Sequence, residues 1–372
     1  MSRDPEILPC LATWPKADQT CWRNAIAPGI FLSPAGKAHH WAAATQIQVQ
    51  KGYTRWLAFL RAGKDLDHTC SPGQRISKTR LQDYVTQLTE QGLSSVSLTS
   101  RITDLMEAIR VMDPAADLEL LRQLTKTLSR RAVPSRNKPA RIRAPGEIWD
   151  AVLAEMQHID RSEKEPSLLQ ASRFSDAMIL GFLVWAPIRR KNLAALLLGT
   201  HLTLENGCWS CTIPGSETKD KTPLWFCLPR DTDFQWAWEA YLLSYRPLLF
   251  RDPSVDPTDL ARLRGPLWPS TRGKPRSAHA LYYAVTRCSS RLLGAPLYPH
   301  LLRDCAATAL ASERPEYVLA ASRILGHSQI STTLQHYEHA SMLEAGNRLH
   351  DVLDEIAEQT GSSPEPEWRD QP

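Results

Sequence analysis

Apolar side chains recur at intervals of three and four over most of the chain, the spacing that lines up one face of a helix. The first such run, from residue 39, sets Trp41, Ala44, Ile47, Val49, Tyr53, Trp56, Leu57 and Leu60 together, and Gly63 ends it. A polar loop with Ser71-Pro72-Gly73 leads to a second run, which puts Leu81, Tyr84, Val85 and Leu88 inside and stops at Gly92. Runs over 94–112 and 117–128 complete a small helical bundle. Residues 1–38, rich in proline and scattered aromatics, hold no sustained period and are expected to form an irregular arm.

Helices are expected again at 146–158 and 168–185, the second strongly apolar around Ala177, Ile179, Leu180, Phe182, Leu183 and Val184. It breaks at Ala186-Pro187, and a new apolar helix begins after Arg189. Between 201 and 229 the pattern changes to alternation. Glu205-Asn206-Gly207 makes a hairpin turn between LTL and CWSCTI, and a turn through GSETKDK precedes LWFCL, which gives a three-stranded meander. An aromatic-rich helix (234–249), a proline-rich loop with the basic tip TRGKPR (252–276) and a helix over 278–293 follow. Residues 341–357 are amphipathic through Met342, Leu349, Val352, Leu353 and Ile356, and 359–372 read as a disordered tail. The expected fold is therefore mainly α with a small antiparallel sheet (α+β). It comprises a helical domain at 39–128, a linker at 129–145 and a second domain at 146–358.

Composition fits two buried cores in 372 residues, 42% of them hydrophobic. No apolar run reaches the ~18 residues of a membrane span, and the N-terminus has no cationic-then-apolar leader pattern, so a cytoplasmic protein is expected. The eight cysteines are scattered, as suits free thiols in a reducing compartment. Cys208 and Cys211 form a CxxC, but no further ligands lie near it, and strand alternation accounts for the pair without a metal.

A net charge of +4 is mild for a nucleic-acid binder, so any such contact must come from local clusters. The linker SRRAVPSRNKPARIRAP is one. It carries Arg130, Arg131, Arg136, Lys138, Arg141 and Arg143 with three prolines and no acid. Its plain reading is a solvated tether; the sharper one is an extended strap that tracks phosphates.

The stretch 298–340 has few charges and many side chains suited to phosphate chemistry. Pro299 opens a helix with Leu302, Ala306, Ala309 and Leu310 on one stripe, while His300 and Arg303 share another face. A second helix is expected from Pro315 to Gly326, followed directly by His327, and Ser331 caps a short third that holds Tyr337. Taken singly, each of these residues would be packing or surface. Together they supply a nucleophile, fixed cationic donors and proton-transfer groups for attack on a phosphodiester without a metal.

This stretch resembles the C-terminal signature of the tyrosine recombinases, the phage integrase family: His, two residues, Arg; then Leu-Gly-His; then the Tyr nucleophile. The matching positions are His300, Arg303, Leu325-Gly326-His327 and Tyr337. Tyr337 stands ten residues after His327, one more than the pattern's usual gap. The family's first catalytic Arg, in a turn followed by an acid, corresponds to Arg189, with Asn192 in the acid's place. Its catalytic Lys, in the second loop of the sheet, corresponds best to Lys221, with Lys219 in reserve. The order of the first helices resembles the family's SAM-like core-binding domain.

The resemblance implies a site-specific recombinase that binds double-stranded DNA. It would cut and rejoin strands through a 3′-phosphotyrosine without ATP, metal or other cofactor, as a homotetramer on paired sites. It also implies that the linker joins two domains closing on the duplex and that the tail helix docks on a neighbouring protomer, where the plain reading of that helix is a cover for its own domain's core. A type IB topoisomerase and an inactive DNA-binding protein of the same fold are the alternatives.

Overall fold

The computed structural model describes residues 11–31, 34–133, 139–161, 166–250 and 260–313. The chain divides into two compact units, 1–137 and 138–372, a division that falls inside the basic proline-rich segment.

Among the described residues, five α-helices build the first unit: α1 (Lys16–Ile26), α2 (Ala43–Ala62), α3 (Lys78–Glu90), α4 (Ser95–Met112) and α5 (Glu119–Arg131). Ser77 and Ser94 open α3 and α4 by accepting from the backbone N–H of Arg80 and Ser97. The central pair is α2 and α4, with Tyr53, Trp56 and Leu57 of one and Ile102, Leu105 and Ile109 of the other fully buried. The described part of the expected irregular arm, from residue 11, departs from that expectation, because α1 lies in it and buries Trp22 and Ala25 in the same core. A polar clip helps hold it. Asp18 on α1 accepts from Arg75 at 2.7 Å and from the Tyr53 hydroxyl at 2.8 Å, with Asp18 and Arg75 wholly buried. Burial, then the Asp18 charge, pushes the Tyr53 hydroxyl well above its ordinary pKa, so it stays a donor.

The second unit contains α6 (Pro145–Asp160), α7 (Leu168–Trp185), α8 (Arg190–Ala195), α9 (Thr232–Ala240), α10 (Arg246–Phe250), α11 (Ala278–Leu293) and α12 (Pro299–Glu313). Helix α7 is its axis. Ser167 and Gln170 cap it reciprocally, and Phe174, Ala177, Met178, Leu180 and Leu183 are fully buried against α6, α10 and α11. The aromatic segment after the sheet is helical on both sides of a π-helical turn at Tyr241–Tyr245. Within that turn the Tyr241 hydroxyl donates to Leu267 O and that of Tyr245 to Asp160.

The sheet has five strands: β1 (Leu197–Leu198), β2 (Leu202–Glu205), β3 (Cys208–Ile213), β4 (Leu224–Cys227) and β5 (Gly265–Pro266), in the order β4-β3-β2-β1-β5. The meander β2-β3-β4 is antiparallel, with Leu202 opposite Cys211 and Cys211 opposite Phe226. Positive φ at both Asn206 (51°) and Gly207 (73°) gives the first hairpin its tight turn. The expected antiparallel meander is present, and two short strands extend it into a mixed sheet: β1 runs parallel to β2 and β5 closes the other edge. The buried Arg246 holds that edge, donating to the carbonyls of Arg264 and Pro266.

Candidate active site

The break between α7 and α8 is where the fold converges. Helix α7 ends at Ala186, the N–H of Ile188 folds back on the Ala186 carbonyl at 2.7 Å, and Arg189 then occupies the N-cap of α8. Arg303, from the second turn of α12, reaches into this turn and donates from Nη1 to the Pro187 carbonyl at 2.5 Å. A residue 116 positions away thus fixes the backbone that carries Arg189.

Arg303 is only 4% exposed. Burial, then the neighbouring Arg189 charge, pushes its guanidinium pKa down to about 10, while Asp304 and Asp220 pull the other way without offsetting them. Two cations held together in a partly dry site attract an anion. Arg189 is less covered, and its Nη1 donates to Asp220 Oδ1 at 2.8 Å. Burial raises the Asp220 pKa, but the hydrogen bond and charge of Arg189, with a contribution from Arg303, hold it below the usual carboxylate value.

Asp220 lies in the β3–β4 loop between Lys219 and Lys221, both exposed. That loop is tied down from several sides. Asn192 donates to the Glu217 carbonyl at 3.3 Å, and the Thr218 hydroxyl donates to the carbonyls of Gly215 and Thr222. His201 accepts from the Leu197 N–H on Nδ1, which leaves Nε2–H to donate to Glu217 Oε2 at 3.1 Å. Lys221 has a φ of +58°, a left-handed conformation that costs a side-chain-bearing residue ~1–2 kcal/mol.

The structure thus brings together Arg189, Arg303 and the loop of Lys219 and Lys221. His300 stands exposed in the first turn of the helix that buries Arg303. The apolar stripe on α12 differs from its expected position: Leu301, Leu302 and Cys305 are buried, whereas Ala306, Ala309 and Leu310 are half-buried. His327, Tyr337 and the helices expected around them and at 341–357 lie outside the described residues.

Of the basic segment the structure describes the two ends. Arg130 and Arg131 end α5, exposed at the terminus where cations are favoured. Arg136 and Lys138 lie outside the described residues. Arg141 donates to the Pro296 carbonyl at 2.7 Å and lies over the Tyr298 ring, and Arg143 pairs with Glu147 at 3.8 Å.

Periodicity gave no hint of Asp220, Glu217 and His201, or of a groove in the first unit between α2 and α4. The groove has a volume of about 560 Å³ and is lined in part by Lys51, Arg55, Ser97, Ser100 and Arg101. Charged residues on facing sides of two helices were the available signal. Among the described residues, no cluster of three or more His, Cys, Asp or Glu is arranged to hold a metal. The described cysteines are free thiols, and burial pushes that of Cys211 up to about 12. No described helix is long and apolar enough to cross a membrane.

No family model matches the chain, and no curated protein matches it in sequence. Solved structures do match. One is the Tn1549 transposon integrase with circular intermediate DNA, at 15% identity and a TM-score of 0.51, covering 89% of this chain and 99% of the other. Another is the same integrase with transposon right-end DNA, at 16% identity and 0.50, covering 85% and 97%. XerA recombinase aligns over 88% and 95% at 14% identity and 0.36. The chain has the fold of the tyrosine recombinases and integrases, with N-terminal helices followed by a mainly helical unit that carries a small mixed sheet.

Proposed function

We propose that this protein is a site-specific DNA recombinase that cuts and rejoins strands through a phosphotyrosine. The observation that carries this reading is the convergence of Arg189 and Arg303 on one turn, two cations facing a single carboxylate, Asp220, so that the group keeps a net positive charge for an anion. A scissile phosphate is such an anion, and two guanidinium forks suit its equatorial oxygens.

In the proposed reaction the Tyr337 oxygen attacks phosphorus, its proton passing to His300. The bond to the 5′-oxygen breaks, and Lys221 protonates that oxygen as it leaves, with Lys219 the reserve. Arg189, Arg303 and His327 bear the charge that develops on the phosphoryl oxygens. The products are a 3′-phosphotyrosine and a free 5′-hydroxyl. The covalent bond stores the energy for rejoining, so the scheme requires no nucleotide.

Duplex binding would fall to the first unit, where Lys51, Arg55 and Arg101 beside the α2–α4 groove suit a phosphate backbone, and to Arg130, Arg131, Arg136 and Lys138. The proposed working form is a homotetramer on paired sites.

The test is covalent capture on nicked duplexes from a random-sequence pool. Wild type should yield a denaturant-resistant adduct, and Tyr337→Phe should yield none while still retarding DNA. An adduct that persists in Tyr337→Phe would remove Tyr337 from its role.

A further inference from the structure

We propose that Asp220 is a positioning residue for Arg189, so that the loop bearing the candidate lysine also sets the direction of the arginine fork. This rests on the reading of Arg189 as a phosphate ligand.

Arg189 sits at the very start of α8, and the first turn of that helix contains no acid. Asn192, one turn on, is neutral and donates its amide to the Glu217 carbonyl. The carboxylate that meets Arg189 comes instead from 31 residues downstream, at 2.8 Å. Asp220 also feels Arg303, as Arg303 does Asp220, so one carboxylate lies within electrostatic reach of both cations.

Three consequences follow from chemistry. A guanidinium gripped at one Nη has its plane and rotamer set in advance, so less side-chain entropy is lost when phosphate binds. One negative charge beside two positive ones lowers their repulsion, while the site keeps a net positive charge for its ligand. Because Lys219 and Lys221 flank Asp220, the same contact anchors the segment that must deliver a proton. Asn192 and His201 hold this loop from its other end at Glu217, so Asp220 closes a frame that is otherwise already fixed.

The experiment uses the full chain and a nicked duplex selected by covalent capture with wild type. Single-turnover cleavage, duplex affinity and thermal midpoint are measured for Asp220→Asn, Asp220→Glu, Arg189→Lys and the double variant Asp220→Asn/Arg189→Lys. Asp220→Asn should slow cleavage ~10–100-fold, the scale of a misplaced catalytic group, with affinity changed less than ~2-fold. Asp220→Glu should recover most of the rate. In the Arg189→Lys background the Asp220→Asn change should cost less than ~3-fold, because the partner it positions is already altered. Wild-type rates in Asp220→Asn, full additivity with Arg189→Lys, or a slowing matched by lost affinity and a lower midpoint would each overturn the assignment. A wild type that captures no duplex at all would instead defeat the recombinase reading, and this one with it.

Discussion

Replacing Arg303 by Met separates what the fold needs at this position from what the ligand needs. A guanidinium pKa pushed down to about 10 means that keeping this group charged costs about 3 kcal/mol, at ~1.4 kcal/mol per tenfold change in proton affinity. The unfolded chain binds its proton more tightly. Between about 10 and the ordinary guanidinium value it therefore holds more protons than the folded chain, and stability from this group rises with pH across that window. Below the window, at neutral pH, the full penalty is present. Against it stand the contacts of the residue, among them the hydrogen bond to Pro187, of the charged kind that contributes about 1.5–3 kcal/mol. That bond alone offsets most of the penalty. Arg303→Met, which keeps an unbranched apolar stem, should therefore leave urea stability within about 1.5 kcal/mol of wild type, or above it, while abolishing covalent capture of DNA. A loss of ~3–5 kcal/mol, as when one partner of a buried ion pair is deleted, would refute the reasoning and make Arg303 a structural residue.

Lys221→Ala should slow cleavage of ordinary DNA by ~10²-fold or more, and a substrate with a 5′-bridging sulfur, which needs no proton, should restore most of the rate. The same rescue in Lys219→Ala but not in Lys221→Ala would move the role to Lys219. At Gly215 an added Cβ would lie 2.4 Å from the Lys221 carbonyl oxygen, so Gly215→Ala should shift this loop and slow cleavage ~10²-fold with duplex affinity kept. An unaffected rate would mean that the loop need not hold this shape. Neutralising Arg136, Lys138, Arg141 and Arg143 together would flatten the salt dependence of binding by up to ~3.6 if all four met phosphate, at ~0.9 per contact. With Arg141 and Arg143 engaged within their own unit, a change nearer ~1.8 is expected, and an unchanged slope would make the segment a plain tether.

Helices with a long period and clear stops were legible from the sequence: 278–293 coincides with α11, and 168–185 with α7. The hairpins were legible because Asn206-Gly207 leaves few backbone choices. Helix α1 was not, because eleven residues between prolines show too few apolar repeats to stand out, and its place depends on partners at Tyr53 and Arg75. Strands β1 and β5, two residues each, carry no period at all and exist through pairing. In the candidate site, Arg189 and Arg303 were marked by a family resemblance carried on short local patterns. The partnership of Arg189 with Asp220 spans 31 positions, and nothing in local patterning encodes it.

The Asp18, Arg75 and Tyr53 clip bears on how the first unit can be handled in the laboratory. A fragment trimmed to the expected start near residue 39 would lose α1 and strand a guanidinium that is 0% exposed, leaving its Nη1 with Tyr53 as the remaining side-chain partner. Trp14, whose indole donates to Thr54 on α2, would go as well. A minimal helical unit for binding or spectroscopic work therefore has to begin upstream of Trp14, and a tag or fusion joint is safest ahead of that residue.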